Sequence, residues 1–368
     1  MFKLQDISVD TVAFPWANRA PRRALQSVFA IAIALLIGHF SGHSSAGAIA
    51  AGAAFTVGFA VFHEAMASTL LSMGLTTLGI ASATLAGSYA AEWTWAAVLV
   101  VIVASVNYGL LAELGPTPGW IGQQCGVFVI ISSGFPGGVH YAVGRASMVI
   151  LGGALQMLVF AITFRFYRRN RIAHPRHSDP FLVRLRDRAS QLWADLGRAV
   201  HEVHTKETFS YVARLSITLV LATLFYRRHH LPNGYWAPMT AILVLRPEWT
   251  NTMSRGTARL LGTVTGATLV ALSAMYLPAL HLWIVFALVI VCAWTTFALQ
   301  AVNYALFSVF LTLYIVYSFR FGGFSQPAAA HFRVMNTAIG GGIAMAVDVV
   351  WISFAWLRSL EHPRTQGF

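Results

Sequence analysis

The residues with the most evident chemistry are arginines that lie beside aromatic side chains in the second half of the sequence. The segment Tyr235-Trp236-Ala-Pro-Met-Thr-Ala-Ile-Leu-Val-Leu-Arg246-Pro-Glu248-Trp249 is followed by Arg255 and Arg259, which are four residues apart and so share one helix face. A guanidinium fork binds a carboxylate at two points, and an indole ring can stack on an aromatic ring. The pattern predicts a binding site for a small organic anion.

The candidate binding residues in this segment are Tyr235, Trp236, Arg246, Glu248, Arg255 and Arg259. The apolar run that carries the first of them is short and bounded by Pro232, Pro238 and Pro247. A short, broken helix beside a cavity is a common way to expose backbone dipoles to a substrate. The alternative interpretation is that the arginines anchor a cytoplasmic loop and that one of them pairs with Glu248. The two interpretations can coexist.

Asp348 is an acidic residue inside the apolar run 343–357. Ionisable groups within membrane spans are costly, and they tend to be functional or paired. A desolvated carboxylate can carry a proton near neutral pH, so Asp348 is the candidate residue for proton coupling. The alternative is a structural ion pair between Asp348 and an arginine.

Arg145 and Arg333 occupy matching positions in an internal repeat. Residues 145–157 align without a gap on residues 333–345, with an arginine, a Gly-Gly pair and a methionine in register at an offset of 188. Halves of six spans each have the same orientation, so the repeat is predicted to be parallel. The pair is a candidate pore mouth for anions. The glycines are predicted to let helices approach closely.

Other kinds of chemistry lack their motifs in this sequence. There is no GxxxxGK[ST] loop for a nucleotide, and His63-Glu64-Ala-Met-Ala lacks the second histidine of the HExxH zinc pattern. The thirteen histidines lack metal-ligand spacing, and two cysteines in apolar runs form no disulfide framework. We therefore predict no catalytic residue, no metal and no cofactor, and an enzyme is disfavoured.

The composition of the chain predicts an all-α, polytopic integral membrane protein. Of the 368 residues, 57% are hydrophobic and only 10% are charged, whereas a soluble domain carries about 25% charged residues. The net charge of +12 reflects basic loops at a membrane rather than nucleic-acid binding. Because no secretory signal precedes the first apolar run, we interpret that run as a retained signal-anchor helix.

The predicted membrane spans are about twelve apolar runs, arranged as two parallel six-helix repeats. The runs are 24–40, 45–62, 68–91, 93–112, 119–135, 145–166, 211–227, 234–246, 255–277, 280–299, 301–319 and 334–357. A span needs about 20 apolar residues, and the runs 45–62, 119–135 and 234–246 are short or polar. The count therefore lies between ten and twelve.

The basic residues predict the orientation of the chain. Clusters precede the first span, fill the segment 165–214, flank the link between spans 8 and 9 and follow span 12, all on one side. The positive-inside rule makes that side cytoplasmic, with both termini on it. Arg145, Arg227, Arg228, Arg320 and Arg333 are the exceptions, and they invite either a revised span count or a function.

The predicted domains follow from these runs. They are a cytoplasmic segment (1–23), a first membrane repeat (24–166), a basic cytoplasmic linker (167–210), a second membrane repeat (211–357) and a cytoplasmic tail (358–368). In the linker, apolar residues from Leu182 to Val203 recur at spacings of three and four after an Asp179-Pro180 helix start, which predicts an amphipathic helix over 179–204. That helix would pack on its own membrane domain, pair with a second subunit or lie among lipid headgroups.

The second half resembles a known family. The segment from Tyr235 to Glu248, the run Arg255-Gly256-Thr-Ala-Arg259-Leu-Leu-Gly262-Thr-Val-Thr-Gly266 and the element Gln300-Ala-Val-Asn303-Tyr304-Ala look like motifs of the fusaric acid resistance protein-like (FUSC) family. The resemblance extends over residues 211–357 and adds Asn303 and Tyr304 to the candidate binding residues. The facing region of the first half, 46–59, lacks the corresponding Trp, Arg and Pro.

The resemblance implies efflux of aromatic carboxylic acids across the bacterial inner membrane, driven by the proton gradient, often with a periplasmic adaptor. The leading hypothesis is an exporter of small organic anions in contact with membrane lipid. The alternatives are an anion channel with an arginine-lined pore and a non-transporting scaffold that assembles an envelope complex. A homo-oligomer is an open expectation.

Overall fold

The computed structural model describes residues 10–63, 68–168, 206–277 and 281–361, and these residues are helical with no β-strand. Their α-helices are α1 Pro21–Phe40, α2 Ser44–Gly58, α3 Thr69–Ala90, α4 Thr94–Glu113, α5 Pro116–Ser132, α6 Val139–Arg168, α7 Lys206–Arg228, α8 Trp236–Val244, α9 Trp249–Tyr276, α10 Leu282–Leu299, α11 Tyr304–Ser318 and α12 Gln326–Glu361. Each predicted apolar run is thus a helix. The predicted linker helix over 179–204 lies outside the described residues.

Ten helical spans are long and apolar enough to cross a membrane, and two of them consist of α2 and α11 together with the 3-10 turns that extend them to Phe62 and Gly322. The two helices that fall short are α5, with 17 residues, and α8, with 9. They correspond to the runs 119–135 and 234–246, which are short or polar in the sequence. The all-α membrane fold is confirmed, whereas the count of twelve spans is not.

Local sequence signals set where several helices begin. Pro21 and Pro116 stand in the first turn of α1 and α5, where the missing backbone N–H has no helical partner to lose. Asn303 caps α11, because its Oδ1 accepts a hydrogen bond from the backbone N–H of Leu306 at 2.9 Å. Gly115 joins α4 to α5 with φ +122°, a conformation that side-chain-bearing residues rarely adopt. These signals fix the connections that reverse the chain.

Contacts between distant segments define the two ends of the bundle. At the end that holds residues 10–21, Thr208 donates to Glu113 (2.9 Å) and Asn303 donates to the Thr11 carbonyl (3.1 Å). We call this the N-terminal end. At the opposite end, Asn336 donates to the Pro232 carbonyl at 3.0 Å, and the α3–α4, α5–α6, α7–α8 and α11–α12 connections lie there.

The helices pack in the same way within α1–α6 and within α7–α12. In both sets, the most extensive contacts join first with second, first with sixth, second with sixth, third with fifth, third with sixth and fourth with fifth. The two sets contact each other through α1 with α10 and through α4 with α7. Each of these pairs joins the first helix of one set to the fourth helix of the other. This shared pattern supports the parallel repeat, which stays a prediction.

Two glycines of the predicted repeat bring helix backbones together. A Cβ at Gly152 of α6 would collide with the carbonyl of Ala50 in α2, and a Cβ at Gly340 of α12 would collide with the carbonyl of Ala237 in α8. Close approach of membrane helices depends on small residues at such points. Gly342, two residues along, has open space at its Cβ position, so only part of the Gly340–Gly342 run serves packing.

Candidate functional site

A cavity of about 1190 Å³ extends through the interior from one end of the bundle to the other. Its walls are mainly α2, α5, α8 and α11, which are the second and fifth helices of each set. Residues near the N-terminal end include Phe62, His63 and Tyr304, and those at the opposite end include Phe135, Tyr235 and Phe324. The first set therefore supplies more than half of the lining residues, although its sequence lacks the motif of the second.

The charge of the cavity wall has one sign. Among the described lining residues there are four arginines, Arg145, Arg246, Arg255 and Arg259, and no aspartate or glutamate. The aromatic lining residues are Phe55, Phe59, Phe62, Tyr108, Trp120, Phe128, Phe135, Tyr141, Tyr235, Trp236, Tyr304, Phe307, Tyr314, Phe319 and Phe324. Such a wall suits a molecule with an anionic group and an apolar or aromatic body.

At the N-terminal end, two predicted site arginines face the cavity beside tyrosines. The Arg255 guanidinium lies 4.3 Å from the ring centre of Tyr304, a cation–π distance. Arg246 donates to the Tyr108 hydroxyl at 3.4 Å. Tyr304 contacts the flat face of the Arg255 fork, and it is the edge of a guanidinium fork that binds a carboxylate.

His63 adds no charge to this mouth of the cavity at neutral pH. Its ring stacks on Trp120 with centres 4.5 Å apart, and burial lowers its pKa from the ordinary value of 6.5. The arginines therefore carry the positive charge of the wall. Within the described residues, no His, Cys, Asp and Glu side chains converge into a group that could hold a metal ion.

The short helix α8 is buried on all sides, and side chains satisfy its final carbonyls. Gln123 of α5 donates to the carbonyl of Ile242 at 3.1 Å and to the Tyr108 hydroxyl at 3.3 Å. Thr252 accepts from the backbone N–H of Arg246 at 3.0 Å and so holds the loop after α8. A buried helix end needs such partners, because its last carbonyls have no partner within the helix. The predicted broken helix beside a cavity is observed.

At the opposite end, the two arginines of the repeat stack on aromatic rings. Arg145 lies 4.3 Å from the ring centre of Phe135, and Arg333 lies 5.0 Å from that of Trp236. Tyr235 packs against both rings, with centres 5.4 Å from Phe135 and 5.7 Å from Trp236. The structure thus brings the predicted pore-mouth pair into one aromatic cluster, in which Arg145 lines the cavity and Arg333 is fully buried.

Asp348 forms a buried ion pair outside the cavity. Its Oδ1 accepts from Arg214 Nη1 at 2.6 Å, and Arg214 Nη2 donates to the Pro247 carbonyl at 2.7 Å. The side chains are 7% and 0% exposed. This is the structural pair considered as the alternative to proton coupling, and its arginine, Arg214, was not singled out in the sequence.

Two further candidate residues lie away from the cavity. The amide of Asn303 caps α11 and donates to the carbonyls of Thr11 and Ala13 at 3.1 and 3.0 Å, so it fastens the segment before α1. The carboxylate of Glu248 is exposed and accepts from Asn251 at 2.9 Å. The expected arginine pair of Glu248 is absent from the described contacts, since the polar partner shown is Asn251.

Sequence reasoning missed the contribution of the first set of helices. Tyr108, Trp120 and Gln123 line the cavity, and Gln123 holds α8 in place. The signal was present, because Gln123 and Gln124 are adjacent polar residues inside a run that was predicted to be a span.

Arg227 is one of the basic residues that do not fit the positive-inside rule. It donates to the Ala91 carbonyl at 2.6 Å and so has a structural role.

These features define a multi-pass helical membrane protein with a cationic, aromatic interior cavity. Residues 220–347 match the family model described as fusaric acid resistance protein-like. The matched residues lie in the second set of helices, from within α7 to within α12, where the motifs predicted the resemblance. The match includes all the candidate residues from Tyr235 to Arg333 and excludes Asp348 and the first set.

Three relatives extend the comparison. The chain is 28% identical to a Haemophilus influenzae protein over 43% of this chain and 22% of the relative, and 30% identical to the ORF2 protein of Neisseria gonorrhoeae over 40% and 36%. It is 28% identical to the inner membrane protein YccS of Escherichia coli over 44% and 22%. The chain thus spans less than two-fifths of the length of these relatives. No solved structure matches it significantly.

Proposed function

We propose that this protein exports small organic anions with an aromatic or apolar body across the bacterial inner membrane. The observation that carries the proposal is the cavity wall, which combines four arginines and fifteen aromatic side chains with no carboxylate among its described residues. In our assignment the arginines bind the anionic group and the rings contact the body of the substrate.

The free energy of dehydrating an anion explains why such a wall would serve transport. A carboxylate that leaves water for the membrane interior loses its hydration, which costs several kcal/mol unless charges or donors replace it. Arg255 and Arg246 at one end and Arg145 at the other offer such groups at two depths. The family description supports the same substrate class, since fusaric acid is an aromatic carboxylic acid.

Two further features belong to the proposal. We assign the N-terminal end of the bundle and both termini to the cytoplasm, on the positive-inside rule. Energy from the proton gradient remains our expectation, with Asp348 as its candidate carrier, although the pair with Arg214 favours a structural task. Assembly with a periplasmic adaptor or a second copy is likewise an expectation.

The experiment that tests the proposal is uptake of labelled p-hydroxybenzoate or fusarate into inside-out vesicles, with and without a proton gradient. Uptake should fall about tenfold or more in Arg255→Ala, because a charge-assisted contact to the substrate is lost. Arg320→Ala is the matched control, since Arg320 is exposed and does not line the cavity. Absence of uptake across a broad panel of acids, in folded protein, would overturn the exporter.

An anion channel is a second candidate, favoured by the cationic side chains at both ends of one continuous cavity. In this case, anion currents across a planar bilayer should appear without a proton gradient and should persist in Asp348→Asn. Accumulation of the acid against its own gradient would exclude the channel and retain the exporter.

A further inference from the structure

Two arginines in the interior of the second set of helices have no counter-ion among the described residues. Arg259 of α9 is 1% exposed and Arg333 of α12 is 0% exposed. None of their six guanidinium nitrogens has a hydrogen-bond partner among the described residues. Arg333 touches the face of Trp236, which leaves the edge of its fork unused. Arg259 and Arg333 lie on α9 and α12, which pack against each other.

Three threonine hydroxyls extend this unsatisfied cluster. Thr263 lies one turn after Arg259 on α9, Thr337 lies one turn after Arg333 on α12, and Thr240 lies one turn after Trp236 on α8. All three are buried, and their hydroxyls lack a partner among the described residues. We call these three hydroxyls and the two arginines the three-helix pocket, because α8, α9 and α12 pack against one another in pairs.

The buried threonines of the described helices divide into those with a partner and those without one, and Thr218 and Thr223 of α7 share the unpartnered state. Buried threonines such as Thr76, Thr84 and Thr296 each donate to the carbonyl four residues earlier in their own helix. α9 runs in the opposite direction to α8 and α12. Along the axis of the bundle, the three hydroxyls of the pocket therefore lie between the depth of Arg259 and the depth of Arg333. Three helices in mutual contact thus each carry a buried donor without a partner among the described residues.

Such an arrangement is costly without a ligand. A buried, unpaired charge costs several kcal/mol, and a like charge nearby adds to that cost. Arginine does not escape by losing its proton in proteins. The described carboxylates do not help, since Asp348 is held by Arg214 and no ion pair involves Arg259 or Arg333. An anionic ligand is the group that would satisfy these donors together.

We propose that Arg259 and Arg333 hold an anion in the three-helix pocket, with the hydroxyls of Thr240, Thr263 and Thr337 as further donors. The shared chemistry is a small anionic group that accepts several hydrogen bonds, supplied either by a free halide or by the carboxylate of an organic anion. Because Arg259 also lines the cavity, the pocket exchanges its ligand with that space.

The halide version is independent of the proposed export function. The carboxylate version rests on that function, because the carboxylate would belong to the transported molecule. The test is therefore made on binding alone, in the purified full-length protein in detergent, with no measurement of flux. A failure of transport with intact binding would remove the export function and leave the pocket.

The experiment follows thermal unfolding while potassium gluconate, a bulky and strongly hydrated anion, is replaced by potassium chloride or potassium benzoate at constant ionic strength. Binding to the folded state alone raises the unfolding temperature with ligand concentration. A rise with chloride identifies a halide site, and a rise with benzoate alone identifies a site for the carboxylate of an aromatic anion, since gluconate is a hydrophilic carboxylate. The absence of any rise in the wild-type protein would overturn the proposal.

Four variants locate the site. Arg259→Gln and Arg333→Gln should each weaken the anion affinity about tenfold or more, as expected for loss of charge-assisted donors. Arg333→Lys keeps the charge without the fork and should retain part of the affinity. Arg320→Gln is the control, since Arg320 is exposed, and its response should equal that of the wild type.

The two glutamine variants also protect the test against a folding artefact. Removal of an uncompensated buried charge relieves its desolvation cost, so these variants should unfold in gluconate at or above the wild-type temperature. A wild-type-sized anion response in both variants would overturn the proposal. So would unfolding of both at a much lower temperature in gluconate, because it would show that the arginines are already satisfied within the protein.

Discussion

At the scale of single residues, the buried arginines of this protein divide into those with a carboxylate and those without one. Arg214 pairs with Asp348 at 2.6 Å and also binds the Pro247 carbonyl. Arg259 and Arg333 are equally buried and lack such partners among the described residues. Burial alone therefore does not assign a task to a membrane arginine. The partner of the guanidinium group indicates the role: an arginine with a carboxylate belongs to a structural pair, and an arginine without one is a candidate binding residue.

The ion pair leads to a stability prediction. Asp348→Asn should destabilise the folded protein by about 3–5 kcal/mol, because it leaves the charge of Arg214 buried without its counter-ion. Chemical unfolding in detergent measures this change. The double variant Arg214→Met with Asp348→Leu should recover most of the loss, since it removes both charges. Glu248→Gln is the control for loss of a carboxylate, because Glu248 is exposed. A wild-type stability for Asp348→Asn would contradict the structural assignment.

The stacked arginine at the cavity mouth leads to a second prediction. In Arg255→Lys the charge remains, but the flat contact with Tyr304 and the two-point fork are lost. Uptake of the aromatic acid should then be intermediate between those of the wild type and Arg255→Ala, with the loss in apparent substrate affinity. Concentration-dependent uptake in vesicles measures this. Equal activity of the lysine variant and the wild type would show that charge alone matters at this position.

At the scale of elements, the site depends on how closely α12 and α5 approach the short helix α8. Gly340 brings the backbone of α12 against the carbonyl of Ala237, and Gln123 of α5 satisfies the carbonyl of Ile242. A helix of 9 residues is too short to be stable by itself. Its position beside the cavity is therefore set by its neighbours rather than by its own sequence.

A glycine pair tests the approach of α12 to α8. Gly340→Ala should cost about 1–3 kcal/mol of stability, because the new methyl group collides with backbone rather than with a flexible side chain. Gly342→Ala is its matched control on the same helix, where nothing lies within 4 Å and alanine is the better helix former. Unfolding of both variants in detergent decides the point. Equal stabilities would mean that α12 and α8 are not in backbone contact.

The cap on α8 leads to a related prediction. Gln123→Leu keeps the approximate volume but removes the donor to the Ile242 carbonyl and to the Tyr108 hydroxyl. The loss of the donor to this buried carbonyl should cost about 1–3 kcal/mol. Gln124→Leu, at the neighbouring position, is the control. A loss as large in Gln124→Leu would assign the effect to the helix surface rather than to the cap.

At the scale of the whole molecule, two sets of six helices with the same packing pattern enclose one cavity. Each set supplies its second and fifth helices to the wall. The charges are distributed less evenly than the helices. Three of the four lining arginines, Arg246, Arg255 and Arg259, belong to the second set, and Arg145 belongs to the first. Similar scaffolds therefore carry different chemistry, which agrees with the match of the family model to the second set alone.

The orientation of the molecule is tested by accessibility. In a protein without Cys125 and Cys292, Arg19→Cys should react with a membrane-impermeant maleimide only in inside-out vesicles. His140→Cys, at the opposite end of the bundle, should react only in spheroplasts with intact inner membranes. Both positions are exposed in the structure. The reversed pattern of labelling would contradict the positive-inside assignment and would reverse the orientation of the protein on which the proposed export is based.

The sequence by itself determined the class of protein, the helical runs and the chemistry of the second half. These properties follow from local composition, because a span needs a continuous apolar run and a guanidinium pair needs only helical spacing. The two runs that fall short of a span, 119–135 and 234–246, were also recognisable from their length or polarity. The family resemblance depended on a contiguous motif and was confirmed over residues 220–347.

Only the tertiary structure decided which polar residues meet. Asp348 and Arg214 are separated by 134 positions, and Gln123 and Ile242 by 119, so no local pattern links them. The same holds for Asn303, whose place in a family motif suggested a substrate contact and whose amide instead fastens the segment before α1. In a helical membrane protein, each side chain's face follows from the sequence, whereas its partner depends on the packing of helices distant along the chain.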